Sequence, residues 1–228
     1  LMAADAAGGI SSLSVRKKVR AAVITTGDEL TDPGQELLPG KIYNSNLVLF
    51  AARLEQLGCE VRMTVSAGDD LDAIVSALKK AGQACDLIIT TGGVSVGMKD
   101  LIPEAMERIH AQIIFHGISI KPGMPTLSAV YEGKPVIGLS GNPYSASAVF
   151  ELLVQPLLKK MNGSSTEVLP KQSALSQDSF DGNVFSTRIL RGVLKDGKVS
   201  FAKGQKNGQT ITGIQTNCLL RLEKGEKP

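Results

Sequence analysis

Apolar residues along the chain alternate between two spacings, and the changes mark out its elements. VRAAVITT is a near-continuous apolar run that predicts a buried strand ending at TTGDEL, followed by a loop containing Pro33, Gly34, Pro39 and Gly40. Leu47, Phe50, Ala51, Leu54 and Leu57 then recur at helical spacing. This predicts a helix over 46–57 with one face on a sheet, Ser45 as its N-cap and Gly58 as its stop. CEVRMTVS predicts a second strand. A stripe of Leu71, Ile74, Val75 and Leu78 predicts a helix over 71–81, with Asp69 and Asp70 at the end where the macrodipole favours carboxylates. DLIITT is apolar throughout, as expected of a central parallel strand.

After GGVSVGMKD the pattern predicts a helix over 101–108. Three strands follow, QIIFHGISI, PTLSAVY and KPVIGLS, the last two joined by a turn at Glu132 and Gly133. A helix starting near Pro143 buries Ala146, Val149, Phe150, Leu153 and Leu157, and Pro156 should kink or interrupt it. Strands separated by helices predict the α/β class: a three-layer, doubly wound, mostly parallel sheet. Beyond Asn162–Thr166 the period changes. VFSTRILRGVL, KVSFAKG and NCLLRLEKG read as short strands with no helix between them. The expected organisation is an α/β domain over 18–162 and a small, barrel-like all-β domain over 167–228 that runs out at Pro228. Residues 1–17 show no sustained period and read as the remnant of a preceding domain or a linker.

The chain has 228 residues, 43% hydrophobic and 21% charged, with a net charge of +3. Those values suit a globular protein and give no support for a nucleic-acid binder. Ten Lys/Arg against six Asp/Glu put +4 in residues 167–228 and leave −1 in 1–166. No apolar run is long enough to cross a bilayer and no secretory leader is evident, so the expectation is a soluble, cytoplasmic protein. Cys59, Cys85 and Cys218 match no zinc or redox spacing, and there are only two histidines. Any metal should therefore be hard and held by oxygen.

In an open parallel sheet, ligands bind beyond the carboxyl ends of the strands. Two strands end in the same tripeptide, at Thr26–Gly27 and at Gly92, which delivers both exits to one edge. Gly92, Gly93, Ser95 and Gly97 belong to GGVSVG, whose free N–H groups suit an anion, although it has neither Walker A nor GxGxxG spacing. SGNPYSA is a second possible cradle, with Ser140, Gly141, Asn142, Pro143 and Ser145 at a helix start. KPGMP presents Lys121 on a rigid turn with Pro122 and Gly123. Asp28, Glu29, Asp69 and Asp100 lie at the same edge. Carboxylates beside anion-binding loops would repel an anionic ligand unless a divalent cation bridged them, which points to Mg²⁺.

TTGDEL, GKIYNSN, TTGGVSVGMKD, KPGMP and GLSGNPYSA, in this order, resemble the molybdopterin molybdenumtransferases, relatives of the catalytic domain of the scaffold protein gephyrin. The resemblance covers roughly Val15 to the C-terminus. It implies a multidomain, dimeric enzyme that takes adenylylated molybdopterin and molybdate, hydrolyses the adenylate with Mg²⁺ and inserts molybdenum, releasing AMP. A molybdopterin adenylyltransferase is an expected partner, and the family's two N-terminal domains have no counterpart in these residues. By motif position Glu29, Asp69 and Asp100 match acidic residues tied to activity, with Asp69 and Asp100 positioning metal. Thr26, Gly27, Asp28, the glycine loop, Lys121 and its turn, and the Ser140–Ser145 segment match substrate-contacting positions. Met124 and Ser140 replace the family's usual second lysine and first proline. The alternatives are a molybdopterin adenylyltransferase and a non-catalytic scaffold module of the same fold.

Overall fold

The computed structural model describes residues 2–95, 100–165, 169–179, 186–202 and 215–224. In chain order the first half contains α1 (Met2–Ala7), β1 (Arg20–Thr25), β2 (Leu30–Thr31), β3 (Ile42–Tyr43), α2 (Ser45–Gln56), β4 (Glu60–Ser66), α3 (Leu71–Ala84), β5 (Leu87–Thr91) and α4 (Leu101–Arg108). Then come β6 (Gln112–His116), β7 (Ile120–Lys121), β8 (Leu127–Tyr131), β9 (Lys134–Leu139), α5 (Pro143–Val149), a π-helical turn (Phe150–Val154) and α6 (Gln155–Met161). The remaining strands are β10 (Leu175–Ser176), β11 (Thr187–Lys195), β12 (Lys198–Phe201) and β13 (Cys218–Leu222).

Six strands form the central sheet in the order β4-β1-β5-β9-β8-β6. β4, β1, β5 and β9 are mutually parallel, and β8 runs against both of its neighbours. All strands but β8 therefore finish at one edge. The two faces follow from the two-residue period of β1. Ala22 and Ile24 pack with Ile74, Leu78 and Met106 of α3 and α4, whereas Ala21 and Val23 pack with Phe50 and Leu54 of α2 and with Phe150. The Phe50 and Phe150 rings stack at 5.1 Å, which closes the second layer. A doubly wound, mostly parallel sheet is thus present, with a strand-rich region beyond it.

Four local expectations need correction. Ser45 lies inside α2, and Asn44 is the cap, its side chain accepting from Leu47 N at 3.3 Å. QIIFHGISI is not one strand: Gly117 at φ 98° ends β6, and β7 pairs in parallel with Thr187 and Arg188 of β11, in the second sheet. α3 runs to Ala84, past the expected Ala81. Residues 2–7 are helical despite their lack of period. The expected interruption near Pro156 is the π-helical turn, after which Pro156 occupies the first turn of α6, where its missing N–H costs nothing. The hairpin turns at Glu132–Gly133 and Asp196–Gly197 all have positive φ, the conformation that two-residue hairpins require.

Candidate functional site

Three strand exits are stitched together at the carboxyl edge. Thr26 N donates to the Thr91 carbonyl at 2.9 Å, and Gly92 N donates to the Leu139 carbonyl at 3.1 Å. A Cβ at residue 92 would lie 2.4 Å from the Thr26 carbonyl oxygen, so only glycine allows this approach. Gly141 lies against the same turn, its would-be Cβ in ordinary contact with Gly92 Cα at 3.5 Å. The two TTG turns and the GNP turn therefore meet, as the repeated tripeptide predicts.

The segment after β1 folds back on this edge. Ile42 N donates to the Glu29 carbonyl and Asn44 N to the Thr31 carbonyl, both at 2.8 Å, forming the small β2–β3 pair. That pairing carries Asn44 and Asn46 to the strand ends. Asn44, fully buried, donates to Thr25 Oγ1 at 2.8 Å; Asn46 donates to the Gly141 carbonyl at 2.9 Å. Between them lies a cleft of about 90 Å³ walled by Thr26, Glu29, Tyr43, Asn46, Thr91 and Pro143 among others. Among the described residues, Glu29 is the only charged one lining it.

Neither asparagine is among the residues singled out from sequence, although both stand in GKIYNSN. The signal was present: Asn46 shares the four-residue spacing of Phe50 and Leu54, which makes it a polar residue on the buried stripe of α2.

The acidic residues divide by role. Asp70, not Asp69, caps α3, accepting from Asp72 N and Ala73 N. Asp69 N donates to Asp28 Oδ1 at 2.9 Å, which holds the β1 and β4 exits together, and the half-buried Asp69 carboxylate has no partner among the described residues. Asp100 sits at the N-cap position of α4 without making a side-chain cap bond. No group of three or more His, Cys, Asp or Glu among the described residues is placed to hold a metal. Mg²⁺ needs only one or two carboxylates when phosphate and water complete its shell, and Asp69 meets that lesser requirement.

The remaining anticipated contacts are more dispersed. The turn from Ser140 is largely self-satisfied: Asn142 N donates to Ser140 Oγ, and Asn142 Oδ1 accepts from Ser145 N. Lys121 is exposed and its backbone pairs with Arg188, while Gly123 packs against Val149, so this turn contacts α5 and β11. Val94 is buried, Ser95 is exposed, and Gly97 lies outside the described residues.

A larger open groove of about 1200 Å³ lies at the opposite edge, between Lys17, Arg20, Glu60, Arg62 and Asp86. Two ion pairs lie along it, Arg20 with Asp86 and Arg62 with Glu60, beside Lys17, Lys18 and Glu55. Size alone does not make it the site, because the strand exits and their motifs converge elsewhere.

Comparison with known proteins agrees with the geometry. Residues 22–160 match the family model described as "Probable molybdopterin binding domain". The chain belongs to this molybdopterin-binding domain family. It is 37% identical over 225 residues to a molybdopterin molybdenumtransferase of Staphylococcus aureus (strain COL), covering 96% of this chain and 53% of that protein. A molybdopterin molybdenumtransferase of Staphylococcus epidermidis (strain ATCC 12228 / FDA PCI 1200) matches with the same identity and coverage. Among solved structures, a molybdopterin biosynthesis MoeA protein from Pyrococcus horikosii superposes with a TM-score of 0.82 at 31% identity, over 97% of this chain and 54% of that one. The chain thus spans about half the length of these relatives. The molybdopterin-binding domain match ends at residue 160, whereas the molybdenumtransferase similarity continues through the C-terminal strands.

Proposed function

We propose that this chain supplies the pterin-binding part of a molybdopterin molybdenumtransferase. The reaction takes adenylylated molybdopterin and molybdate, adds water across the adenylate linkage, releases AMP and leaves molybdenum on the dithiolene. The observation that carries this reading is the meeting of TTGDEL, GKIYNSN, TTGG and GNP at one sheet edge, in a chain 37% identical to enzymes of that name over nearly its whole length. Similarity past residue 160 favours the molybdenumtransferase over an adenylyltransferase.

In this reading the stitched strand ends hold the substrate against a rigid floor, and Glu29 gives polar support at the cleft rim. Asp69 and Asp100 position Mg²⁺, which offsets the charge of the substrate phosphates. Lys121 serves the oxyanion at a distance from the cleft. The working enzyme is a cytoplasmic homodimer, which receives its substrate from an adenylyltransferase.

The test is Mg²⁺- and molybdate-dependent AMP release by the full-length protein containing this chain. Wild type should turn over, and Asp69→Asn and Asp100→Asn should each lower the rate by roughly 10²-fold at limiting Mg²⁺. Wild-type rates in both variants would remove the metal assignment. No AMP release from the wild type would remove the enzymatic reading.

A further inference from the structure

Among the described residues, Arg191 is the only Lys, Arg, Asp or Glu that is buried, at 6% exposure. Taking a guanidinium out of water is costly, and an apolar side chain of similar size would join two layers as well. What the arginine adds is a defined placement. On β11 it shares a face with Ile189, whereas Leu190 on the other face packs with Leu220 and Leu222. The guanidinium carbon lies 3.9 Å from the centre of the Tyr144 ring, and the Tyr144 hydroxyl donates to the Ile189 carbonyl at 2.8 Å. Tyr144 is the second residue of α5, directly after the GNP turn whose Asn142 caps that helix.

The same strand carries the other loop. Thr187 and Arg188 pair in parallel with Ile120 and Lys121, so β7 runs from β11 straight into the Lys121–Gly123 turn. That turn comes back to α5, where a Cβ on Gly123 would collide with Val149 Cγ2. β11, the KPGMP turn and α5 thus form a closed circuit of three contacts, and Arg191 with Tyr144 makes one side of it. A planar cation over a ring fixes the lateral placement of the two elements in a way that an aliphatic contact does not. We infer that Arg191 is a positioning residue: by seating β11 on Tyr144 it places Lys121 relative to the GNP turn, and so governs how an oxyanion is presented to the bound substrate. This rests on the proposed reaction, with Lys121 at the oxyanion.

The strand ends that hold the pterin-derived substrate in that reading are joined without β11. Thr26 bonds to Thr91, Gly92 to Leu139 and Asn46 to Gly141. Loss of the Arg191 contact should therefore act on the oxyanion and spare the larger substrate.

The experiment measures AMP release by the full-length protein against molybdate and, separately, against adenylylated molybdopterin. Arg191→Met should raise the half-saturating molybdate concentration about fivefold to twentyfold and leave the KM for adenylylated molybdopterin within about twofold. Arg191→Lys keeps a cation but loses the planar head, and should fall between Arg191→Met and wild type. Tyr144→Phe keeps the ring under the cation and loses the bond to Ile189; it should raise the molybdate value about twofold to fivefold. Asp86→Asn, at the opposite edge, is the control for lost stability and should leave both values unchanged. Unchanged molybdate dependence in Arg191→Met and Tyr144→Phe, an equal rise in Asp86→Asn, or a parallel rise in the KM for adenylylated molybdopterin would each overturn the inference. Amide hydrogen exchange of this chain supplies a readout without turnover. Arg191→Met should speed exchange at 120–123 and 144–147 and leave 26–29 and 91–93 as in wild type, and unchanged exchange at 120–123 would also overturn the inference. If wild type releases no AMP, the molybdenumtransferase reading fails, and exchange alone decides whether Arg191 places the Lys121 turn.

Discussion

Asn46 on α2 donates its side-chain amide to the carbonyl of Gly141, 95 residues further along the chain, at 2.9 Å. This bond ties the helix after β1 to the turn after β9 across the exit of β5. Asn46→Ala should lower stability by about 1–2 kcal/mol, since the bond to Gly141 and a longer one to Thr91 Oγ1 at 3.4 Å are lost, while the carbonyl on the exposed Gly141 can still reach water. Urea unfolding of the variant and the wild type measures the difference.

Gly27 lies beneath the Glu29 carboxylate, with φ at +140° and its would-be Cβ 2.6 Å from Oε2. Gly27→Ala should cost roughly 1–3 kcal/mol and displace Glu29 from the cleft rim. Gly40→Ala is the control, since φ there is also positive at +79° but the space around it is empty. A smaller loss at position 40 is expected from its φ, which lies nearer the left-handed region that alanine can enter, because the exposed Glu29 carboxylate over Gly27 can swing aside.

The two sheets are joined at Tyr144, whose hydroxyl donates to the Ile189 carbonyl at 2.8 Å while the Arg191 guanidinium lies 3.9 Å above the ring. Burial pushes the phenol up from its ordinary value, with Arg191 partly opposing it. Tyr144→Phe keeps the ring under the cation but leaves a buried carbonyl unpaired, so it should destabilise by about 1–3 kcal/mol. Thermal unfolding tests this, and an unchanged midpoint would show that the hydroxyl does not hold the sheets together.

At the other edge, hydrogen bonds from the Arg20 guanidinium hold the Asp86 carboxyl below the usual carboxylate value, against a smaller upward push from burial. A depressed folded value means that the carboxylate stabilises the fold above about pH 4 and loses that contribution as pH falls through the folded value. The urea midpoints of wild type and Asp86→Asn should therefore differ at pH 7 and converge towards pH 3. The gap should also narrow in salt, because both groups are partly exposed. A gap that persists at pH 3 would assign it to packing instead.

The alternation of strand and helix was legible because each element buries one face, and that burial leaves its period in the residues. β5, whose Leu-Ile-Ile run is followed by two threonines that are buried as well, announced its place in the middle of the sheet. Partnership over long distance left no such trace. Nothing local to Ile120–Lys121 indicates that it joins β11 rather than continuing β6, because a two-residue strand carries no period. The cap of α2 was misread at Ser45 because both Asn44 and Ser45 suit the role, and only burial against Thr25 decides between them. At the site, paired TTG exits predicted convergence correctly. In the Ser140–Ser145 turn, the bonds from Asn142 N to Ser140 Oγ and from Ser145 N to Asn142 Oδ1 are set by the local backbone path, which residue types alone do not specify. Asn46 shows in the sequence only as a polar residue on the buried stripe of α2, and its bond to Gly141, 95 residues away, leaves no local trace.

The account stands on the ligand binding at the carboxyl edge and not in the larger groove beside Lys17 and Arg62. Amide hydrogen exchange of this chain, with and without saturating adenylylated molybdopterin, measures that directly. Protection should appear at residues 26–29, 44–46, 91–93 and 140–142, with no change at 17–20 and 60–62. Protection confined to the 17–20 and 60–62 segments, or no binding at all, would contradict it.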